Sequence, residues 1–138
     1  MDTTSDIDKQ AIDKITTAFF GIFSNKNNTK PDWDKITELC IAEAIIIKKV
    51  HQQQEIYNLK SFIAPRKKIL SGGTLQDFEE KEIQEETKII GSIAQRATKY
   101  VKEGYLNGVY FKQQGHKLFQ YLKTDKGWQI NAVVWEDE

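Results

Sequence analysis

The sequence predicts an α+β fold, with helices in the N-terminal half and antiparallel strands in the C-terminal half. Two patterns carry this prediction: apolar residues recur every three or four positions near the N-terminus, and alternate with polar residues from about Asp77 onward. Asn107-Gly108, a strong turn pair, interrupts the alternating part. The length of 138 residues suits a single domain spanning the whole chain, residues 1–138.

The first helix is predicted from a cap at Ser5 or Asp6 to about Ser24. Its apolar side chains recur at helical spacing and form one stripe: Ile12, Ile15, Phe19, Ile22 and Phe23. A polar break at residues 25–30 separates it from a short second helix, which Asp32 caps.

A strand and a third helix follow. Residues 42–50 predict a strand, because the three consecutive isoleucines are β-branched and the segment lacks a helical period. The third helix is predicted over residues 55–70 after a glutamine-rich turn, with five side chains facing inward: Ile56, Leu59, Phe62, Ile63 and Ile69. Pro65 is expected to kink this helix and Gly72 to end it.

The remaining chain predicts a meander of strands. Residues 78–83 read as a polar strand, and residues 87–102 as one long strand in which four apolar residues alternate: Ile89, Ile93, Ala97 and Val101. Further strands are predicted over residues 115–123 and 128–135, joined by a hairpin loop at residues 125–127.

The last predicted strand separates two tryptophans. Trp128 begins an apolar face with Ile130, Ala132 and Val134, and is expected in the core. Trp135 is expected on the opposite face, where it would line a pocket or a dimer interface.

Composition excludes several classes of function. Twenty acidic residues balance twenty basic ones, which argues against a general nucleic-acid binder. The first six residues contain two aspartates and no basic residue, unlike a signal peptide, and no apolar run is long enough to cross a bilayer. We therefore expect a cytoplasmic protein without nucleic-acid or membrane partners.

Metal and cofactor sites are not expected either. The chain has two histidines and one cysteine, Cys40, and they lack the spacing of zinc ligands. His51 and His116 are of the residue type most often used as a general base, but an exposed or structural histidine is the more frequent case.

Four segments in this order resemble small bacterial stand-alone members of the nuclear transport factor 2-like superfamily, related to polyketide cyclases and ketosteroid isomerases. They are FIAPR (62–66), FEEKE (78–82), AQRATKY (94–100) and GWQINAVVW (127–135). The resemblance covers roughly residues 6–137. It implies a cone-shaped fold in which a strongly bent sheet wraps a long helix. It also implies a pocket between the first helix, the third helix and the concave sheet face, and homodimers formed across sheet surfaces.

The isomerase chemistry of this family is not expected here. Ketosteroid isomerases of this fold use a carboxylate near the end of the first strand and a tyrosine on the first helix. Lys48 and Lys49 stand at the corresponding strand end, and the first helix carries Phe19 and Phe20 but no tyrosine. The resemblance therefore identifies neither a reaction nor its catalytic residues.

Strand parity and the resemblance together select the candidate ligand-binding residues: Arg66, Glu80, Glu82, Arg96, Tyr100, Gln120 and Trp135. A buried arginine beside carboxylates would hold an anionic or carbonyl ligand through forked hydrogen bonds. The same charges also suit cross-strand ion pairs on a solvated or dimer-facing surface.

Three functions stay open at this point. The first is a module that binds a small apolar molecule with one polar end. The second is an enzyme of the isomerase, cyclase or dehydratase kind, and the third is a purely structural homodimer. The missing isomerase residues place binding ahead of catalysis.

Overall fold

The computed structural model describes residues 3–138 and contains six strands in one sheet. The strands, in chain order, are β1 (Cys40–Val50), β2 (Gln53–Tyr57), β3 (Leu75–Ile90), β4 (Ile93–Leu106), β5 (Val109–Thr124) and β6 (Gly127–Asp137). Their spatial order is β2-β1-β6-β5-β4-β3, and every neighbouring pair is antiparallel except β1 with β6.

Three α-helices, α1 (Thr4–Gly21), α2 (Ile36–Leu39) and α3 (Leu59–Ser71), accompany the sheet. Helix α1 contacts both β3, at one edge of the sheet, and β6, towards the other side. The sheet therefore curls around this helix, and the predicted α+β fold with helices inside a curved, mainly antiparallel sheet is confirmed.

Helix α1 begins at a capping box in which Thr3 and Asp6 bond each other's backbone N–H groups. Its inner face is buried, as the apolar stripe predicts, through Ile12, Phe19 and Phe20. Polar contacts also fix it to the sheet: among them, Thr16 Oγ1 lies 2.8 Å from the Tyr121 hydroxyl, and Trp128 Nε1 donates to Asp8 Oδ1 at 2.9 Å.

Helix α3 is shorter than predicted. Residues Gln53–Tyr57 form β2, an edge strand paired with β1, and Ile56 is 66% exposed rather than inward. The helix begins only after Asn58, whose side chain forms a capping box with Ser61. The glutamine-rich turn therefore closes a β-hairpin, and the prediction that the helix begins near residue 55 was wrong. Pro65 lies inside the helix, and Gly72 caps its C-terminal end, as predicted.

Residues 87–102 do not form one strand. A turn at Gly91-Ser92 divides them between β3 and β4, which pair antiparallel along most of their length. Gly91 has φ 58°, which glycine adopts at little cost. The apolar residues on both sides of this turn masked it in the sequence. The Asn107-Gly108 turn is confirmed, with φ 52° and 80° at the two residues.

The predicted faces of β6 are wrong beyond Ile130. Gln120 pairs with Ala132 while the next residue, Tyr121, pairs with Ile130, so Asn131 is the extra residue of a β-bulge. The bulge reverses the alternation. Trp135 is therefore buried on the same side as Trp128, and Val134 turns to the outer face with 37% exposure.

Candidate functional site

A pocket of about 930 Å³ lies between α1, α3 and the concave face of the sheet. Its lining includes eight aromatic residues: Phe19, Phe20, Phe23, Tyr57, Phe62, Phe78, Phe111 and Trp135. We call it the helix–sheet pocket. Three of the candidate residues from the sequence line it, namely Arg66, Glu80 and Trp135. Tyr100 does not line it, but its ring contacts Lys117, which does.

Lys117 lies on the floor of the helix–sheet pocket and is 6% exposed. Its Nζ atom forms an ion pair with Glu80 Oε1 at 2.8 Å, and lies 4.3 Å from the centre of the Tyr100 ring and 4.6 Å from that of Trp135. Burial lowers the pKa of Lys117, and the carboxylate of Glu80 opposes that shift. The floor therefore carries a desolvated, paired cation.

A second polar group is centred on Asp137, which also lines the pocket. Tyr100 donates a short hydrogen bond to Asp137 Oδ1, and Lys102 Nζ donates to Oδ2 at 2.9 Å, with Lys48 Nζ at 3.7 Å from the same oxygen. Burial and the neighbouring carboxylate raise the pKa of Tyr100. Burial would raise the pKa of Asp137, but its hydrogen bonds from Lys102 and Tyr100 outweigh burial and lower it. Asp137 is therefore charged and Tyr100 neutral at pH 7.

Arg66 lines the pocket from α3 and has no carboxylate within 4.0 Å among residues 3–138. Its guanidinium carbon lies 3.9 Å from the centre of the Phe62 ring, and Nη1 donates to the Phe62 carbonyl at 3.0 Å. The rings of Tyr57 and Trp135 lie 5.3 and 5.5 Å away. Burial lowers the pKa of Arg66, with Tyr57 and Glu80 acting against that shift.

Arg96 and Glu82 belong to a different cluster, between β3, β4 and α1. Arg96 is 3% exposed; its Nε donates to Glu82 Oε2 at 3.0 Å and its Nη1 to Asp13 Oδ1 at 2.5 Å. Burial disfavours the cation, but the hydrogen bonds to Glu82 and Asp13 raise the pKa of Arg96 overall. Thr98, whose hydroxyl donates to Glu82, lies between this cluster and Tyr100 on β4. The predicted convergence of Arg96 with Tyr100 on one ligand does not occur.

Gln120 lies on the outer face of the sheet, with Leu118 and Leu122, because Phe119 and Tyr121 take the inner positions of β5. A groove of about 520 Å³ crosses this outer face and is lined by apolar residues that include Ile45, Leu118 and Val134. Leu118 is 55% and Ile45 is 50% exposed. Gln120 therefore belongs to this outer groove and lies away from the helix–sheet pocket.

The remaining chemical candidates are ordinary in their surroundings. His51 is exposed in a turn, and the side chain of His116 is 61% exposed, with Nε2 at 3.3 Å from Glu138 Oε1. Cys40 is buried, and burial raises the pKa of its thiol to about 12, which disfavours the reactive thiolate.

Within residues 3–138 no group of three or more histidine, cysteine or acidic side chains is arranged to hold a metal ion. No helix of that part of the chain is long and apolar enough to span a membrane.

Sequence reasoning missed Lys117 and Asp137, the two residues that organise the pocket floor. The signal for Lys117 was present, since it shares strand parity with Phe119 and Tyr121, both buried. The inner position of Asp137 could not be predicted from the sequence in the same way. The bulge at Asn131 moves it to the inner face, and a bulge leaves little trace in a single sequence.

Comparison with solved structures identifies the fold. A nuclear transport factor 2-like superfamily protein from Salmonella enterica superposes with a TM-score of 0.79 at 15% identity, covering 97% of this chain and 93% of its own. A nuclear transport factor 2-like protein from Cytophaga hutchinsonii gives 0.72 at 13% identity, covering 94% and 98%. This chain has the nuclear transport factor 2-like fold.

Another solved structure matches over a similar length. A Xanthomonas campestris protein, provisionally described as a calcium/calmodulin-dependent protein kinase II association domain, gives a TM-score of 0.67 at 14% identity, covering 99% of this chain and 89% of its own. At such identities the likeness shows the fold alone. No protein-family model matches the sequence, and no curated protein matches it either.

Proposed function

We propose that this protein binds a small molecule with an apolar body and one polar end in the helix–sheet pocket. The observation that carries the proposal is the combination of aromatic walls with desolvated charged groups, Lys117 and Arg66, at one cavity. A volume of about 930 Å³ suits a small organic ligand. The aromatic rings supply apolar area, while the few polar groups would orient the ligand.

Catalysis by the isomerase route has less support. The pocket does hold a carboxylate and a tyrosine, Asp137 and Tyr100, but they are bonded to each other. Lys102 engages the second oxygen of Asp137, and Glu80 is paired with Lys117. A general base needs a carboxylate free to take a proton from the substrate. Binding is therefore favoured over an isomerase, cyclase or dehydratase activity.

Isothermal titration calorimetry with 2-naphthamide tests the binding proposal. This neutral probe has a flat apolar body and one polar end. Ile69→Trp fills the α3 wall of the pocket and should weaken binding about tenfold or more. Ile83→Trp is the matched control, because Ile83 is 48% exposed and does not line the pocket; its affinity should equal that of the wild type. Equal affinities of both variants, or no binding to the wild type, would contradict the proposal.

We also propose that two copies associate through the outer face of the sheet. The outer groove exposes Ile45, Leu118 and Val134, an unusual surface for an isolated chain. Its rim carries both a carboxylate and an amine, Glu86 and Lys88, so a twofold-related copy can oppose unlike charges. The Xanthomonas protein of the same fold is described as an association domain, which supports a second copy as the occupant.

A cytoplasmic location and the absence of nucleic-acid partners and cofactors stay predictions from composition. The balanced charge supports the prediction on nucleic acids, and the spacing of the two histidines and Cys40 supports the prediction on metal cofactors.

A further inference from the structure

Arg66 differs from the other buried or half-buried cations that line the helix–sheet pocket. Lys117 is paired with Glu80, and Lys102 and Lys48 both pair with Asp137. Arg66 is half-buried, yet its guanidinium has no carboxylate partner within 4.0 Å in residues 3–138. Removing a cation from water without a counter-charge costs free energy, so this position favours an anion supplied from outside the chain.

The aromatic residues around Arg66 hold its guanidinium at the pocket. Stacking on the Phe62 ring at 3.9 Å engages a face of the planar group, because the N–H donors lie in its plane. Nη1 donates one hydrogen bond to the Phe62 carbonyl. Tyr57 is a further hydrogen-bonding partner of the guanidinium. The guanidinium has five N–H donors, so enough are left for a forked pair of hydrogen bonds, the geometry that a carboxylate accepts.

The net charge of the pocket also favours an anionic ligand. Five cationic side chains line the helix–sheet pocket against three carboxylate side chains. An anionic ligand would reduce this excess, while a cationic ligand would increase it. The aromatic walls beside Arg66, formed by Phe62 and Trp135, fit a flat apolar body attached to the anionic group.

We infer that the ligand of this protein is a carboxylate with an aromatic or other flat apolar body, whose carboxylate pairs with Arg66 at the mouth of the helix–sheet pocket. The inference rests on the proposed function and names its ligand class. A phosphate monoester fits less well, because a dianion calls for more donors than one half-buried guanidinium supplies, and Lys117, Lys102 and Lys48 already have carboxylate partners.

The test compares 2-naphthoate with 2-naphthamide by isothermal titration calorimetry at pH 7.5. The two probes share the same ring system and differ in charge. Wild-type protein should bind 2-naphthoate about tenfold more tightly, which corresponds to one charge-assisted hydrogen-bonded pair. In Arg66→Gln this preference should fall to about threefold or less, because 2-naphthoate should lose more affinity than 2-naphthamide.

The matched control is Lys67→Gln, which removes an exposed cation from the next position of α3. Lys67→Gln should keep the full preference for 2-naphthoate, because contact with Arg66 in the pocket creates that preference. A nearby positive charge on α3 outside the pocket should not create it. The inference is overturned if the wild type binds both probes equally, if Arg66→Gln keeps the preference, or if 2-naphthyl phosphate binds more tightly than 2-naphthoate. Binding of 2-naphthamide without any charge preference would overturn the inference alone, whereas failure of every probe to bind would overturn the proposed function as well.

Discussion

The Nζ atom of Lys117 lies 2.8 Å from Oε1 of Glu80, and both side chains are withdrawn from water at the floor of the helix–sheet pocket, with 8% and 13% of their side-chain surface exposed. This pair places two opposite charges beside the aromatic side chains of the pocket. An unpaired charge that is withdrawn from water is strongly unfavourable. Each of the two side chains can therefore be buried only because the other compensates its charge.

Lys117→Met is expected to destabilise the protein by about 3 kcal/mol, because it leaves the Glu80 carboxylate without its partner. The double variant Lys117→Met/Glu80→Gln should recover most of that loss, since a neutral pair avoids the cost of desolvation. Urea unfolding of the wild type, both single variants and the double variant measures this. Strictly additive losses would show that the two side chains are not coupled.

Arg96→Ala should lower the free energy of unfolding by about 3 kcal/mol, because Glu82 and Asp13 both lose a buried cationic partner. The affinity for 2-naphthamide, measured by calorimetry where the variant is folded, should stay within about twofold of the wild type, since Arg96 lies outside the helix–sheet pocket. A folded variant that no longer binds the probe would instead place Arg96 in the ligand site.

Acid should weaken the contact between α1 and the sheet through Asp13. Burial acts to raise the pKa of Asp13, but hydrogen bonds from Arg96 and Lys9 outweigh it and hold the pKa below the ordinary 3.8. A lowered folded-state pKa contributes stability above the unfolded value, and this stability is lost as the pH falls through the folded one. The melting temperature of Asp13→Asn should lie below that of the wild type at pH 7, and the difference should shrink below about pH 4. A difference that stays constant down to pH 3 would contradict the ion pair.

Gly115 is required by the close approach of Tyr100. A Cβ atom at position 115 would lie 2.3 Å from the Tyr100 hydroxyl and 2.7 Å from the Glu136 carbonyl. Gly115→Ala should therefore cost about 2 kcal/mol and displace Tyr100 from Asp137. Gly21→Ala, at the end of α1 where nothing lies within 4 Å, is the control and should be neutral or slightly stabilising. Equal melting temperatures for the two variants would show that β5 shifts to accommodate the methyl group without loss of stability.

Leu118→Glu should separate the proposed homodimer, because it introduces a charge into the centre of the outer groove. Light scattering at micromolar concentration is expected to give a dimer mass for the wild type and a monomer mass for the variant. Lys126→Glu, in the exposed turn between β5 and β6, is the control and should stay dimeric. A monomeric wild type would contradict the dimer.

Several elements could be predicted from the sequence because their signals are local. The stripe of α1, the Asn107-Gly108 turn and the glycine stop of α3 each depend on a few neighbouring residues. The Gly91-Ser92 turn was missed since isoleucines on both sides continue an apparent alternation. Tertiary pairing determines the position of this turn, because β3 and β4 form a long antiparallel ladder when the chain reverses there.

The candidate site was predicted less well than the fold. Arg66, Glu80 and Trp135 line the pocket, whereas Arg96 and Glu82 satisfy each other beside α1 and Gln120 faces outward. Parity along a strand shows which residues share a face, but it does not show how far apart they lie. The bulge at Asn131 then changes the face itself, and pairing between β5 and β6 sets its position.

A crystal structure of the wild-type protein with 2-naphthamide tests the central claim most directly, because it asks whether the helix–sheet pocket accepts a small molecule with one polar end. The account predicts the ring system against the aromatic side chains of the helix–sheet pocket, with the amide directed towards Arg66 or the Lys117–Glu80 pair. A pocket closed by its own aromatic side chains, with the probe absent or bound elsewhere, would contradict the account.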